Sequence, residues 1–162
     1  MRAQPEVTVC RSARFVMHNR AVPKTMKAVE SMSANAKRVL VIEDNRVMGD
    51  VVRFNLQRAG FDTTVMVNGS DAVELLQNEM FDVIISDYQL PGLNGEEICR
   101  WVRQDPRFDD VPIFLCTAKR FELDEQGLMN ELRITKMLAK PFSPREIVAL
   151  VRSSLESQTA GA

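Results

Sequence analysis

Polar residues that can do chemistry end four of the five apolar runs of this chain that predict buried strands. Glu43 and Asp44 follow the first run, and Asp87 follows the third. Thr117 follows the fourth run and Lys140 the fifth. Because ligands of open parallel sheets bind at the carboxyl ends of the strands, these side chains are expected to converge in one cleft.

The combination favours phosphate chemistry with a divalent cation. Three carboxylates in one cleft raise each other's pKa unless a cation joins them, and ligands that are all oxygen favour Mg²⁺. Lys140 could neutralise a bound phosphate, Thr117 could hydrogen-bond it, and a carboxylate such as Asp87 can act as a nucleophile toward phosphorus. Each residue alone is more typical of a helix cap, a turn or a strand end, so the prediction rests on their joint placement.

The elements that would position these residues alternate regularly from residue 37 onward. Short apolar or β-branched runs predict strands, and the segments between them have apolar residues at helical spacing. Five such units predict an α/β fold with a parallel sheet and helices on both faces. The predicted strands are 37–42, 63–67, 82–86, 111–116 and 137–139.

Helix boundaries can be predicted from capping residues and apolar spacing. Gly60 is expected to end the first helix, on which Val51 is placed on the inward face. Ser70 is expected to cap the second helix, with Met80 facing inward. Ser143 is expected to cap the fifth helix, with Pro144 in its first turn and Glu146 completing a capping box.

Composition sets the class of protein. The chain has 162 residues, 45% hydrophobic and 27% charged, which suits one globular domain. No apolar run approaches the roughly 20 residues that span a bilayer. The three cysteines, Cys10, Cys99 and Cys116, are far apart and lack the spacing of a zinc or redox site, which fits a reducing cytoplasm. The single histidine, His18, is interpreted as neither a metal ligand nor part of a catalytic triad.

The first 36 residues differ from the rest in charge. They contain six Lys or Arg and two Asp or Glu, whereas residues 37–162 contain fifteen and twenty. Residues 1–36 are therefore interpreted as a basic, disordered extension, for which a solvated tail is favoured over contact with nucleic acid or anionic lipid. We expect the natural start at Met32 or Met26, a globular domain over residues 37–156, and a frayed polar tail over 157–162.

Four motifs resemble the receiver domains of two-component response regulators, in particular stand-alone, chemotaxis-regulator-like ones. They are VLVIEDN at residues 39–45, DVIISDYQLPGLNG at 82–95, TAK at 117–119 and KPF at 140–142. Their order and spacing extend the resemblance over about residues 37–155. The resemblance implies a flavodoxin-like receiver fold with strand order 2-1-3-4-5.

The resemblance also implies an acceptor and a metal site. Asp87 would be the phosphorylated aspartate. Glu43 and Asp44 would hold Mg²⁺ together with Asp87, and the backbone carbonyl of Gln89 would be a further ligand.

Other matched positions would act on the phosphoryl group. Thr117 would contact it and shift on activation, and Lys140 would pair with its oxygens. The bond between Lys140 and Pro141 would be cis, and Gly95 would allow a tight turn after Asp87.

The chain departs from the family pattern at two positions. Met137 stands where many members have Tyr or Phe, so the switch would be sensed differently. Arg133 stands where the preceding helix often ends in Gly, which could alter that turn. Gln89 and Lys119 occupy the positions that flank the phosphorylation site and tune its lifetime.

The expected partners are a sensor histidine kinase or phosphotransfer protein as donor and an unknown downstream protein, with no nucleic acid and no membrane. Monomer and phosphorylation-dependent dimer both stay open, and the protein is not expected to be an enzyme. One alternative is a phosphate-independent binding module, which usually lacks Asp87 or Lys140. The other is an aspartyl-phosphate hydrolase, which would want a second Asp where Gln89 stands.

Overall fold

The computed structural model describes residues 36–118 and 124–160. Within them, five strands alternate with five α-helices, and a short 3₁₀ turn follows the third helix. The elements are β1 Arg38–Ile42, α1 Arg46–Arg58, β2 Asp62–Met66, α2 Gly69–Asn78, β3 Val83–Asp87, α3 Gly95–Gln104, the 3₁₀ turn Pro106–Phe108, β4 Ile113–Thr117, α4 Glu125–Glu131, β5 Lys136–Ala139 and α5 Pro144–Ala160. The predicted strands are therefore confirmed to within two residues at each end.

The strands form one parallel sheet in the order β2-β1-β3-β4-β5, which confirms the predicted topology. All four pairings are parallel. The order reverses direction between β1 and β3, and such a switch point is where open α/β sheets bind ligands. The carboxyl ends of β1 and β3 therefore flank the crevice in which the site is expected.

The sheet has a hydrophobic core on each face. One core joins alternate strand residues such as Leu40 and Ile84 to α2, α3 and the end of α4. The other joins Val39 and Ile85 to α1 and α5. Cys99 and Cys116 are 1% and 2% exposed, one in each core, as expected for small core residues.

Three predictions about side chains at the helices are wrong. Val51 is 41% exposed because the buried face of α1 centres on Val52 and Leu56, and Val51 is rotated away from it. Met80 is 42% exposed because α2 ends before it. Asn68, rather than Ser70, caps α2: its side chain accepts the backbone N–H of Ser70.

Other boundaries agree with the sequence. Gly60 follows the last residues of α1 with φ of 96°, as a C′ glycine does. Ser143 Oγ accepts the backbone N–H of Arg145 at 3.3 Å at the start of α5. That helix extends to Ala160, four residues into the segment expected to be a frayed tail. Among the described residues, no helix is long and apolar enough to cross a bilayer.

Candidate functional site

Three polar side chains are buried where β1, β3 and β4 end. The β1–β3 register pairs Ile42 with Ser86, so the next residues, Glu43 and Asp87, are neighbours. Glu43 is 5% exposed, Asp87 7% and Thr117 0%, although all three are polar. Burial of ionised groups is unfavourable unless they are paired, so this cluster needs a compensating charge.

Lys140 supplies part of that charge. Its Nζ donates to Asp87 Oδ2 at 2.6 Å and to Glu43 Oε2 at 2.7 Å. The backbone N–H of Lys140 donates to the carbonyl of Thr117 at 2.8 Å, which fixes the end of β5 beside β4. Burial lowers the pKa of Lys140, but its hydrogen bonds to Asp87 and Glu43 outweigh burial and raise that pKa above its usual value. The ammonium group is therefore charged at neutral pH.

Three carboxylates form a group suited to a cation. Oxygen atoms of Glu43, Asp44 and Asp87 lie within 4.8 Å of one another, and only Asp44 is exposed. With Lys140 as the ammonium bonded to this group, the four side chains carry a net charge of −2. An all-oxygen set with that charge fits a hard divalent cation such as Mg²⁺.

The loop after β3 shapes the acceptor side of the site. The backbone N–H of Gln89 donates to Asp87 Oδ1 at 3.3 Å, so the backbone of Gln89 lies beside the carboxylate. A Cβ atom on Gly95 would lie 2.3 Å from the carbonyl oxygen of Asp87. The close approach of α3 to the end of β3 therefore requires glycine at position 95.

The remaining predicted positions fall in different places. Met137 is 5% exposed and packs in the core that contains Leu132. Arg133 adopts φ of 48°, so the turn before β5 contains a residue in the left-handed conformation although that residue is not glycine. The bond between Lys140 and Pro141 is cis, as expected. Lys119 lies outside the described residues.

A network of polar side chains beside the site was not predicted from the sequence. Tyr88 donates its hydroxyl to Glu96 Oε2 at 3.2 Å, and Arg100 donates to Glu96 Oε1 at 2.9 Å. Arg100 also forms an ion pair with Glu131 of α4. Glu96 and Arg100 are four residues apart on α3, a spacing that signals a pair, but the link to Glu131 depends on tertiary packing.

The chain is similar to known proteins in sequence and in fold. Residues 39–152 match the family model described as the response regulator receiver domain. The chain is 28% identical to the chemotaxis response regulator CheY4 of Vibrio cholerae, with a TM-score of 0.68 over 74% of this chain and 98% of that one.

Two further solved structures are similar. A protein from Chloroflexus aurantiacus assigned as a response regulator is 28% identical, with a TM-score of 0.67 over 75% of this chain and 98% of that one. The BeF3-activated DrrB receiver domain is 26% identical, with a TM-score of 0.64 over 75% and 98%. The family match, the strand order and the acidic cluster at the strand ends agree, and this chain belongs to the receiver domains of two-component response regulators.

Proposed function

We propose that this protein is a phospho-acceptor switch in which Asp87 takes a phosphoryl group from a sensor histidine kinase or a phosphotransfer protein. The observation that carries the proposal is the placement of Lys140, whose ammonium group is 2.6 Å from Asp87 Oδ2 and 2.7 Å from Glu43 Oε2. A cation held on a buried carboxylate is well placed to receive the negative charge of a phosphoryl group.

Asp87, Lys140 and Thr117 have separate roles in the proposed transfer. A carboxylate oxygen of Asp87 attacks phosphorus, a P–O bond forms, and the P–N bond to the donor imidazole breaks with its electron pair going to the imidazole. Lys140 then exchanges its bond to the carboxylate for one to a phosphoryl oxygen. Thr117, buried at the end of β4, donates its hydroxyl to another phosphoryl oxygen.

Mg²⁺ is the proposed cofactor, held by carboxylates of Glu43, Asp44 and Asp87 and by the backbone carbonyl of Gln89. The close grouping of the three carboxylates supports this assignment. When bound, the ion supplies the positive charge that stabilises the equatorial oxygens during transfer. The carboxylates of Glu43 and Asp44 give the cleft a negative charge. This charge favours the binding of a divalent cation over the approach of a second lysine side chain.

The output is proposed to be protein–protein contact, without catalytic turnover of a separate substrate. Gln89 stands where a hydrolase of the alternative class would carry a second acid, which argues against that alternative. Thr117 and Met137 are the proposed switch residues, and Gln89 and Lys119 are proposed to tune the lifetime of the acyl phosphate. Residues 37–156 are the proposed signalling unit.

The test is incubation with acetyl phosphate and Mg²⁺, read by intact mass. We expect a gain of about 80 Da, the mass of one phosphoryl group, which both EDTA and Asp87→Asn abolish. Asp82→Asn is the matched control, because Asp82 precedes the opposite end of the same strand and pairs with Lys37. Its labelling should equal that of the wild type, and labelling that survives Asp87→Asn would show that another residue is the acceptor.

A further inference from the structure

Helix α4 is lightly attached to the rest of the domain. None of its residues, Glu125–Glu131, is buried, and Leu128 and Met129 are only half-buried. Its burial of apolar surface therefore contributes little, and polar contacts to neighbouring elements weigh more in fixing its position.

One of these polar contacts comes from Arg100 on α3. Its guanidinium group binds Glu131 through both terminal nitrogens, with Nη2 at 3.3 Å from Oε2 and Nη1 in a shorter bond to Oε1. Hydrogen bonding to Arg100, reinforced by its charge, lowers the pKa of Glu131. A two-point contact of this kind fixes orientation as well as distance, so it constrains the last turn of α4 relative to α3.

The other side of the guanidinium group leads back to the phospho-acceptor. Arg100 donates to Glu96 Oε1, while the hydroxyl of Tyr88 donates to Glu96 Oε2. Tyr88 directly follows Asp87, and its backbone N–H donates to the carbonyl oxygen of Cys116 at 2.7 Å. A continuous set of contacts therefore joins the residue after the acceptor to the last turn of α4.

A second arginine holds the segment just beyond that turn. Arg103, one turn after Arg100 on α3, donates to the carbonyl oxygens of Leu132 and Arg133 at 3.0 and 2.9 Å. These bonds fix the C-terminal end of α4 to α3 independently of Glu131. Breaking the contact between Arg100 and Glu131 alone would therefore loosen the last turn of α4 while the segment after it stays attached to α3.

We propose that Arg100 is a positioning residue that latches α4 to α3 in the arrangement with a free Asp87 carboxylate, and that the latch opposes phosphorylation. This inference rests on the proposed function. That the latch opposes phosphorylation follows from the bond between Lys140 and Asp87 Oδ2. This bond is present together with the contact between Arg100 and Glu131, so the closed latch accompanies the carboxylate before it accepts a phosphoryl group. A contact made in only one of two arrangements stabilises that one, so its removal shifts the population toward the other.

The experiment measures binding of beryllofluoride, the agent named for the activated DrrB receiver domain, at a fixed Mg²⁺ concentration by fluorine NMR. We expect Glu131→Gln to lower the apparent Kd by about twofold to fivefold, the range for loss of one exposed ion pair. Arg100→Gln should act in the same direction. The double variant should gain no more than the larger single effect, because both changes open one latch. The matched control is Glu74→Gln on α2, an exposed glutamate for which the wild-type Kd is expected.

The outcomes separate this inference from the function on which it rests. Absence of beryllofluoride binding by the wild type would overturn the proposed phospho-acceptor function, and the latch with it. Normal binding by the wild type, with equal or weaker binding by Glu131→Gln, would overturn the latch alone. Additive effects in the double variant would also overturn it, since Arg100 and Glu131 would then act separately.

Discussion

At the residue scale, one ammonium group balances two buried carboxylates. Lys140 lies between Asp87 and Glu43, whose side chains are only 9% and 6% exposed. Removing one partner of a buried ion pair is destabilising because the other charge stays buried without compensation. The site is therefore held together by the group that is also proposed to bind the phosphoryl oxygens.

Replacement of Lys140 by Met should lower the free energy of unfolding by about 2–4 kcal/mol in the absence of divalent cations. Mg²⁺ should restore more stability to the variant than it adds to the wild type, because the ion then supplies charge that the lysine no longer provides. Urea unfolding with EDTA and with Mg²⁺ measures both effects. Lys136→Met, at an exposed position on β5, the strand that Lys140 directly follows, is the control. Equal Mg²⁺ effects in wild type and Lys140→Met would contradict the prediction.

At the element scale, α1 presents an apolar stripe beside the site. Val47, Val51 and Phe54 are 75%, 41% and 59% exposed, and their spacing of four and three residues puts them on one side of the helix. The stripe begins at Val47, three residues along the chain from Asp44, which belongs to the proposed metal site. If a protein donor phosphorylates Asp87 as proposed, we expect it to contact this stripe.

Phe54→Ala should therefore slow phosphorylation by a protein donor by about tenfold, as expected for loss of one aromatic contact at an interface. Phosphorylation by acetyl phosphate, which needs no such surface, should keep its wild-type rate. Phosphorylation time courses with each donor provide the measurement. Met80→Ala alters an exposed apolar side chain outside the stripe and should affect neither rate. A parallel loss with both donors would show that Phe54 acts on the fold instead.

The turn before β5 gives a second prediction at this scale. Arg133 has φ of 48°, which is unfavourable for a side-chain-bearing residue, and its guanidinium group pairs with Asp109 at 2.8 Å. Arg133→Gly should raise the free energy of unfolding by about 0.5–1 kcal/mol, because relief of backbone strain exceeds the loss of an exposed ion pair. Arg133→Ala loses the ion pair but keeps the strain, so it should be no more stable than the wild type. Urea unfolding of the two variants distinguishes the contributions, and a glycine variant less stable than the alanine variant would refute the argument.

At the scale of the whole molecule, each face of the sheet has its own core, and each core contains a cysteine. Burial raises the pKa of Cys99 and of Cys116 to about 12, with smaller and opposing effects from nearby charges. In the unfolded chain both thiols ionise near pH 9. The unfolded state therefore loses these protons first as the pH rises, and the folded state is destabilised.

The free energy of unfolding should fall between about pH 9 and pH 12, by up to about 1.4 kcal/mol per pH unit for each thiol. Lys140 contributes a decline in the same direction above its unfolded pKa, since its folded pKa is raised. The variant with both Cys99→Ala and Cys116→Ala isolates the thiols and should show a shallower slope. Urea unfolding at pH 8, 9 and 10 provides the comparison, and identical slopes would exclude the thiols as the cause.

The sequence predicted the residues at strand ends but not the contacts between helices. The convergence of Glu43, Asp87 and Lys140 follows from the polar residues that end the apolar runs of a parallel βα fold. The strand order was implied by the resemblance to receiver domains. The contact between Arg100 and Glu131 depends on how two helices sit relative to one another, and no local pattern encodes that. The exposure of Val51 was missed for a similar reason, because spacing alone does not locate the centre of a buried helix face.

The distance along the chain between Glu43 and Lys140 has a consequence for synthesis. Their side chains are bonded although 97 residues separate them. At about 5–20 residues per second, the lysine is added roughly 5–20 s after the glutamate. Until β5 leaves the ribosome, the nascent chain carries the acidic cluster without its lysine. The proposed phospho-acceptor site is therefore completed only after synthesis of the last strand.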